Sequence, residues 1–310
     1  MAELFSGLPD FKQYVGGSIN TSLQIESLDP IIWQTARRWV VPCLGQSFYD
    51  SLVAASAPNA AQAALLPYVK RALAWLTLWE YTAVGNVVYG ERGMHRIENE
   101  TRKAAYRYQE KAYQEKCRDN GFNALESMLV WLDDHASDHP TWVSTAEAQA
   151  HLTLLLNYAK DFRVLNQAEC TRYTYETMRP IIREVEYWAA EQLLPAAFWS
   201  GFITRHINDT LTAKEKVLRT MMRTAICHLS IEQAMMRHWV KVEGGRVFVM
   251  EEFGEQSATN RTMPINSGAN LSTASRIWGD ANTNRWKAYI SDNVADFATV
   301  FDVASGGSNA

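Results

Sequence analysis

Apolar residues recur every three or four positions between Leu28 and Leu52, which is the spacing of one face of an α-helix. Asp29 is suited to cap the start of this helix, and Pro30 is suited to its first position, where no backbone donor is needed. Pro42 and Gly45 interrupt the pattern, which then resumes as far as Leu52. The stretch therefore predicts a helix, a bend at Pro-x-x-Gly and a short second helix.

A longer helix is predicted from about Ala61 to Val84, because apolar residues keep the same three-and-four spacing. Polar and apolar residues then alternate around Gly93, which predicts a small β-hairpin. The charged stretch from Thr101 to Arg118 has interleaved tyrosines and predicts a solvent-facing helix that ends at Asn120-Gly121. A further helix from Phe122 to Leu132 closes this half of the chain.

The same order of elements returns later in the sequence. The segment from Met178 to Ile203 is a looser copy of the first stretch, and Pro180-Ile181-Ile182 echoes Pro30-Ile31-Ile32. At an offset of about 152, the apolar positions of a second long helix match those of the first: Leu65 with Val217, Val69 with Met221, Trp79 with Ile231 and Ala83 with Met235. We therefore interpret the chain as a tandem duplication.

The second hairpin signal is stronger than the first. Residues from Val240 to Val249 alternate around Gly244-Gly245, and glycines supply the positive φ angles that tight hairpin turns need. The predicted fold class is mainly α: a tandem duplication of a helical domain, each half with a small β-hairpin.

The predicted domain boundaries follow from this repeat. The first helical domain covers residues 1–135, and the second covers 151–304 with a polar insertion at 254–271. Pro, Ser, Asp and His are frequent between the two, which places a linker at 136–150. Residues 305–310 are predicted to be a flexible tail.

Composition and charge exclude several classes of function. The chain is 47% hydrophobic and 21% charged, and its net charge of -4 gives no basic footprint for nucleic acid. Its first residues lack the basic and apolar regions of a signal peptide. The most apolar window, 72–89, contains Glu80 and Asn86, so it predicts a core helix rather than a membrane span. The four cysteines form no C-x-x-C pair and are predicted to be buried free thiols in a reducing compartment.

One short segment has the side chains of metal ligands: Asp133, Asp134, His135, Asp138 and His139. His135 and His139 are four apart, which on a helix would place them on one face. Pro140 follows directly, however, and the segment falls at the predicted linker. We interpret it as a hydrated linker rather than a metal site.

A second candidate pair, His228 and Glu232, lies on the second long helix at a spacing of four. The four-glutamate, two-histidine set of a di-iron bundle is absent, and the offset aligns His228 with Leu76, a core position. Glu80 and Glu232 occupy equivalent positions by the same offset. The chain also lacks a glycine-rich phosphate loop, H-E-x-x-H and G-x-S-x-G. The sequence therefore predicts no catalytic, cofactor-binding or metal-binding residues.

The pattern Val41-Pro42-x-Leu44-Gly45-x-x-Phe48-Tyr49-x-x-Leu52, followed by a long apolar helix and a hairpin, resembles the head–tail connector (head-completion adaptor) proteins of tailed bacteriophages. More narrowly, it is similar to an uncharacterised family of structural proteins of Bacteroides-type phages and prophages. Those proteins also have a hairpin region like 85–100 and a charged helix like 103–109. The second half departs from the pattern, because Ala196 and Ala197 follow Pro195 where the first half has Leu-Gly.

This resemblance implies a virion protein without catalytic activity or cofactor. Connectors form a homo-oligomeric ring, commonly of twelve copies, under the portal protein at the capsid vertex, in the neck of the particle. They extend the DNA channel and dock tail or stopper proteins, with passing contact to DNA and none to membrane, after assembly in the host cytoplasm. Interleaved tyrosines and hairpin edges suit such an interface, and the candidate residues are Tyr89, Met94, Tyr106, Tyr113, Val247 and Val249.

Two other functions remain open at this stage. The duplicated halves would also suit a helical interaction scaffold or regulator with two docking domains. A metal-dependent helical enzyme would use His135, His139, His228 or the paired glutamates.

Overall fold

The computed structural model of the chain describes residues 4–16, 24–55, 57–82, 87–90, 93–96, 107–166, 170–238, 240–243, 246–249 and 265–297. The fold is mainly α, as the sequence predicts. The chain divides into two compact units. Unit 1 comprises 1–151 together with Thr171–Tyr173, and unit 2 comprises 152–170 and 174–310.

In its described residues, unit 1 consists of helices and one pair of strands. In chain order these are α1 (Leu8–Val15), α2 (Asp29–Thr35), α3 (Val41–Leu44), α4 (Gln46–Ala54), α5 (Ala60–Thr82), β1 (Val87–Gly90), β2 (Gly93–Arg96), α6 (Arg107–Asp134), α7 (Pro140–Val143) and α8 (Ala146–Leu152). The two strands are antiparallel, with Tyr89 opposite Met94. The core of the unit lies where α1, α2 and α6 pack on α5.

The stretch from Leu28 to Leu52 forms the predicted helices, with two differences at their ends. Asp29 is the first residue of α2 rather than its cap, because Leu28 is the cap residue and its carbonyl accepts from Ile31 and Ile32 at 2.9 and 2.8 Å. A π-helical turn, Ala36–Val40, joins α2 to α3. Pro42 explains this wider turn, since proline has no N–H and its ring clashes with the carbonyl four residues before it.

The break in this stretch lies at Gly45 alone, where φ is +82°. A Cβ at this position would lie 2.8 Å from a methyl carbon of Thr145 and 2.9 Å from a carboxylate oxygen of Glu147. Both the positive φ and the lack of space therefore require glycine here. The Leu-Gly pair of the sequence motif is thus a structural feature of unit 1.

Helix α6 is continuous where the sequence predicted two helices separated by Asn120-Gly121. Gly121 lies inside the helix, where a Cβ would be 2.7 Å from the Leu76 side chain and 3.1 Å from its backbone nitrogen. The glycine therefore allows α6 to approach α5 closely instead of ending the helix. The rings of Trp39, Trp79 and Phe122 contact one another nearby, with centroids 5.0 to 5.8 Å apart.

Residues 136–150, predicted to be a linker, are part of unit 1. They contain a 3-10 turn (Ala136–Asp138), α7 and most of α8. Trp142 is fully buried and its indole N–H donates to the carbonyl of Cys43 at 3.2 Å. The linker prediction was wrong because it followed the polar composition and missed this buried tryptophan.

Unit 2 has a similar order of elements. These are α9 (Ala159–Asn166), α10 (Arg172–Ala189, whose first two residues group with unit 1), α11 (Ala196–Ile207), α12 (Ala213–His238), β3 (Val240–Glu243), β4 (Arg246–Val249) and α13 (Ile265–Asp292). The strands are antiparallel, with Val240 opposite Val249. Helix α13 packs along α12. The two helices approach closely at Gly279, where a Cβ would lie 2.5 Å from the Leu229 side chain.

The buried positions of the long helices correct the predicted offset by one residue. Leu65 and Val69 of α5 are fully buried, and so are Leu218 and Met222 of α12, which lie 153 positions further along. Val217, the match expected at 152, is 43% exposed. At an offset of 153, Glu80 falls on Gln233 and not on Glu232.

The end of unit 2 differs from its prediction. Residues 265–271, assigned from the sequence to a polar insertion, are the first residues of α13. Residues 254–264 and the tail 305–310 lie outside the described residues. Trp286, Ile290 and Phe297 are buried, whereas Ile277, Trp278 and Val294 are exposed.

Candidate interface

The structure places the interface residues expected from the sequence at three kinds of site. Tyr89 and Met94 lie opposite each other in the strand pair of unit 1. Val247 and Val249 lie in β4, opposite Val242 and Val240. Tyr113 is 37% exposed on α6 and hydrogen bonds to Cys117. Tyr106 lies outside the described residues.

A different exposed surface lies on the first helical stretch of unit 1. It consists of Trp33, Gln34, Arg37 and Arg38, which we call the first outer face; all four are exposed. The guanidinium carbon of Arg37 is 4.4 Å from the Trp33 ring centroid. Arg38 donates to Glu80 at 3.0 Å. The face therefore combines two cations with a tryptophan that is 48% exposed.

The matching surface of unit 2 lies 150 positions further along, on α10. It consists of Arg183, Glu184, Tyr187 and Trp188, which we call the second outer face; all four are exposed. Arg183 contacts Glu186 at 3.3 Å and Glu191 at 3.2 Å. Arg237 donates two hydrogen bonds to Glu184, at 2.6 and 2.7 Å. Tyr187 is 50% exposed and Trp188 is 36% exposed.

Glu186 lies beneath the second outer face and is fully buried. One of its carboxylate oxygens accepts from the backbone N–H of Leu155 at 2.8 Å, and the other accepts from Arg183. Burial raises the pKa of Glu186 to about 7, although these two hydrogen bonds favour the ionised form. Unit 1 has the small apolar Ala36 at the equivalent position, 150 residues earlier.

The histidines near residue 135 make internal contacts. The His135 ring stacks on Trp131 with centroids 4.1 Å apart, and its Nδ1 is 2.8 Å from the Trp131 carbonyl oxygen. His139 is buried against Phe48 and Trp131, and burial lowers its pKa. His151 contacts Asp133 at 3.1 Å. These side chains build the packing of α6 against α7 and α8.

The second candidate pair is also used in packing. His228 is half-buried, its ring lies 6.4 Å from that of Trp278, and burial lowers its pKa. Glu232 is buried and accepts from Gln233 at 3.0 Å. Among the described residues, no group of three or more His, Cys, Asp or Glu side chains is arranged to hold a metal ion.

Sequence reasoning missed the two outer faces, although a signal for them was present. In both helices the buried and exposed residues come in pairs, and the exposed pairs are rich in Trp, Tyr and Arg, which are enriched at protein interfaces. The interface residues expected from the sequence belong instead to the two strand pairs and the charged stretch from Thr101 to Arg118.

The comparisons with known proteins identify a family. A model of the family of unknown function DUF6712 matches residues 40–151 and 190–309, so the matched segments lie in both units. No match was found among curated proteins or among solved structures. None of the helices described has the length and apolar character needed to cross a membrane. Because the two matched segments cover most of the sequence, the chain belongs to the DUF6712 family.

Proposed function

We propose that the chain is a non-enzymatic structural protein of a tailed bacteriophage. It is a head-to-tail connector that forms a ring between the portal protein and tail or stopper proteins around the DNA channel. The observation that carries this proposal is the resemblance motif with the elements that follow it. The motif makes the break at Gly45, and a long helix, a strand pair and a second long helix follow.

We also propose that the two units arose by internal duplication. A similar ion pair in each unit supports this proposal. In unit 1, Asp10 of α1 contacts Lys70 of α5 at 2.7 Å. In unit 2, Asp161 of α9 contacts Arg223 of α12 at 2.5 Å. Lys70 and Arg223 lie 153 positions apart, the same distance as the buried leucines of these helices. A shared polar contact between equivalent helices is a stronger sign of common origin than a shared apolar pattern.

The contacts of the ionisable side chains support the non-enzymatic part of the proposal. Of the side chains that the sequence offered as metal ligands, His135 and His139 pack against the Trp131 ring, and Asp133 contacts His151. The buried carboxylate of Glu186 caps the N–H of Leu155. Each of these side chains therefore has a structural role within its own unit.

Mass spectrometry of density-purified phage particles from a producing culture tests the proposal. We expect this chain at about the copy number of the portal protein, in line with a closed cyclic assembly at one vertex. Cross-linking within those particles should connect it to portal and tail proteins. Presence of the chain only in the soluble host fraction would reject the connector function and favour the interaction scaffold with two docking domains.

A further inference from the structure

The two outer faces have complementary chemistry at equivalent positions. Where the first face has Trp33 and Arg37, the second has Arg183 and Tyr187, so the cation and the aromatic ring are exchanged. Arg38 of the first face corresponds to Trp188 of the second. Six of the eight residues are thus Trp, Tyr or Arg. Guanidinium groups stack favourably on the faces of such rings.

Each face has at least one exposed aromatic ring, and each has an arginine that can stack on a ring of the other face. Trp33, Tyr187 and Trp188 are exposed to water in the single chain. The first face has two arginines, whereas the second has one arginine, Arg183, with two rings and with Glu184, which already accepts from Arg237. Two copies of the first face would bring four guanidinium groups together, so the first face is better matched electrostatically to the second face than to another first face.

We propose that the first outer face binds the second outer face of a neighbouring copy of this chain. The inference rests on the proposed ring function and assigns its subunit contact. Because each copy has one face of each kind, the contact is heterologous, and repeating it gives a ring when the rotation closes. The arginines of one copy lie on the rings of Tyr187 and Trp188 of the next.

Variants of each face test this contact. Arg37→Glu/Arg38→Glu reverses the charge of the first face, and Tyr187→Ala/Trp188→Ala removes the rings of the second. Each variant should keep the helical content of the wild type, with a modest shift of the unfolding transition, because Arg38 loses its ion pair with Glu80 and Trp188 is only 36% exposed. Arg71→Glu/Lys111→Glu is the control, because it makes the same charge change at exposed positions on other helices of unit 1, α5 and α6.

Sedimentation velocity of the full chain measures the association. We expect each face variant to weaken self-association by roughly tenfold or more, while the control behaves as the wild type. An equimolar mixture of the two face variants is the decisive sample. Each variant keeps one intact face, so the mixture should form 1:1 dimers and no larger assembly.

Three results would overturn this inference. They are face variants that assemble like the wild type, a mixture that forms no dimer, and a wild-type chain that stays monomeric at the highest concentration tested. The particle experiment does not depend on these residues. A chain found at the vertex whose face variants still assemble would therefore reject this contact and leave the connector function intact.

Discussion

The two units share their interior and differ on their surface. Leu65, Leu76 and Gly121 of unit 1 have counterparts in Leu218, Leu229 and Gly279 of unit 2, and these positions make the same close contact between two long helices. The outer faces, by contrast, exchange cations for aromatic rings. Packing density constrains interior positions strongly, whereas exposed positions are free to change. The comparison therefore separates residues that maintain the fold from residues available for a partner.

The interior also has one conspicuous difference. Ala36 of unit 1 and Glu186 of unit 2 occupy equivalent buried positions, but only the glutamate brings an ionisable group into the core. Its hydrogen bond to Leu155 holds the segment before α9. A carboxylic acid at this depth makes the stability of unit 2 sensitive to pH in a way that an alanine cannot.

The largest expected effect is on the shared core. Leu65→Ala and Leu218→Ala should each lower the free energy of unfolding by about 2–5 kcal/mol, because both side chains are fully buried and their removal leaves a cavity. Val217→Ala is the matched control. Its side chain is 43% exposed, so its loss should cost less than about 1 kcal/mol. Urea unfolding followed by tryptophan fluorescence measures all three.

This series tests the 153-residue offset between the units directly. A large cost for Val217→Ala together with a small cost for Leu218→Ala would restore the offset of 152, and Leu218 would then not be the counterpart of Leu65. The sequence alone favoured 152 because Val217 and Leu218 are both apolar. Only their burial in the structure distinguishes them, because Leu218 is fully buried and Val217 is 43% exposed.

Glu186→Gln should remove the pH dependence that the Glu186 carboxyl group gives to the stability of unit 2, which would make its core more like that of unit 1. The pKa of Glu186 is about 7 in the folded chain and about 4.3 when unfolded, so the folded state keeps a proton across that range that the unfolded state releases. The contribution of this group to stability is therefore lost as the pH rises from about 4.3 to about 7. Relative to the wild type, the glutamine variant should gain about 3 kcal/mol over this range.

Denaturation at several pH values from about 5 to about 8 measures that gain. Glutamine keeps an acceptor for the Leu155 N–H, so the structure at this site should be retained. Glu115→Gln, at an exposed position of α6, is the control and should follow the wild-type profile. A Glu186→Gln profile parallel to the wild type would show that Glu186 is already ionised in the folded chain.

The close approach of the long helices gives the next effect. Gly121→Ala and Gly279→Ala should each destabilise by about 1–3 kcal/mol, because the added Cβ collides with a buried leucine and its backbone. Gly201→Ala is the control, since its Cβ would meet only the flexible end of Arg205 at 3.1 Å. That change should stabilise α11 by up to about 1 kcal/mol. Equal losses at all three positions would show that the close contact has no special role.

The sequence predicted the amphipathic helices well, because each has a clear apolar stripe. The prediction from the sequence failed where the same type of residue is common in two different structural settings. Gly121 followed an asparagine and indicated a helix end, yet helix packing is what requires it. The polar stretch around His135 indicated a linker, because single-sequence patterns do not show that Trp142 packs on Cys43. The outer faces were also missed, although their exposed pairs are rich in Trp, Tyr and Arg, because the apolar stripe alone was followed along these helices.

The ion pair that both units share should have the smallest effect. Asp10→Asn and Asp161→Asn each remove the charge of one partner, and each should cost about 1 kcal/mol at neutral pH. The cost should be similar in the two units, because both pairs are partly buried. Asp280→Asn is the control: Asp280 lies 3.9 Å from Arg276 in a pair that is well exposed, so its loss should have no measurable effect.

The pH dependence of Asp10→Asn has a definite sign. Burial acts to raise the pKa of Asp10, but hydrogen bonds from Lys70 and Ser6 outweigh it, so the pKa lies below its ordinary value. The stabilisation by Asp10 is therefore present above a pH of about 3.9 and is lost as the pH falls through the folded-state pKa. The wild type and the variant should converge in acid. A difference that persists at low pH would mean that the carboxylate acts by its shape and not by its charge, and the pair would then be weaker support for a common origin.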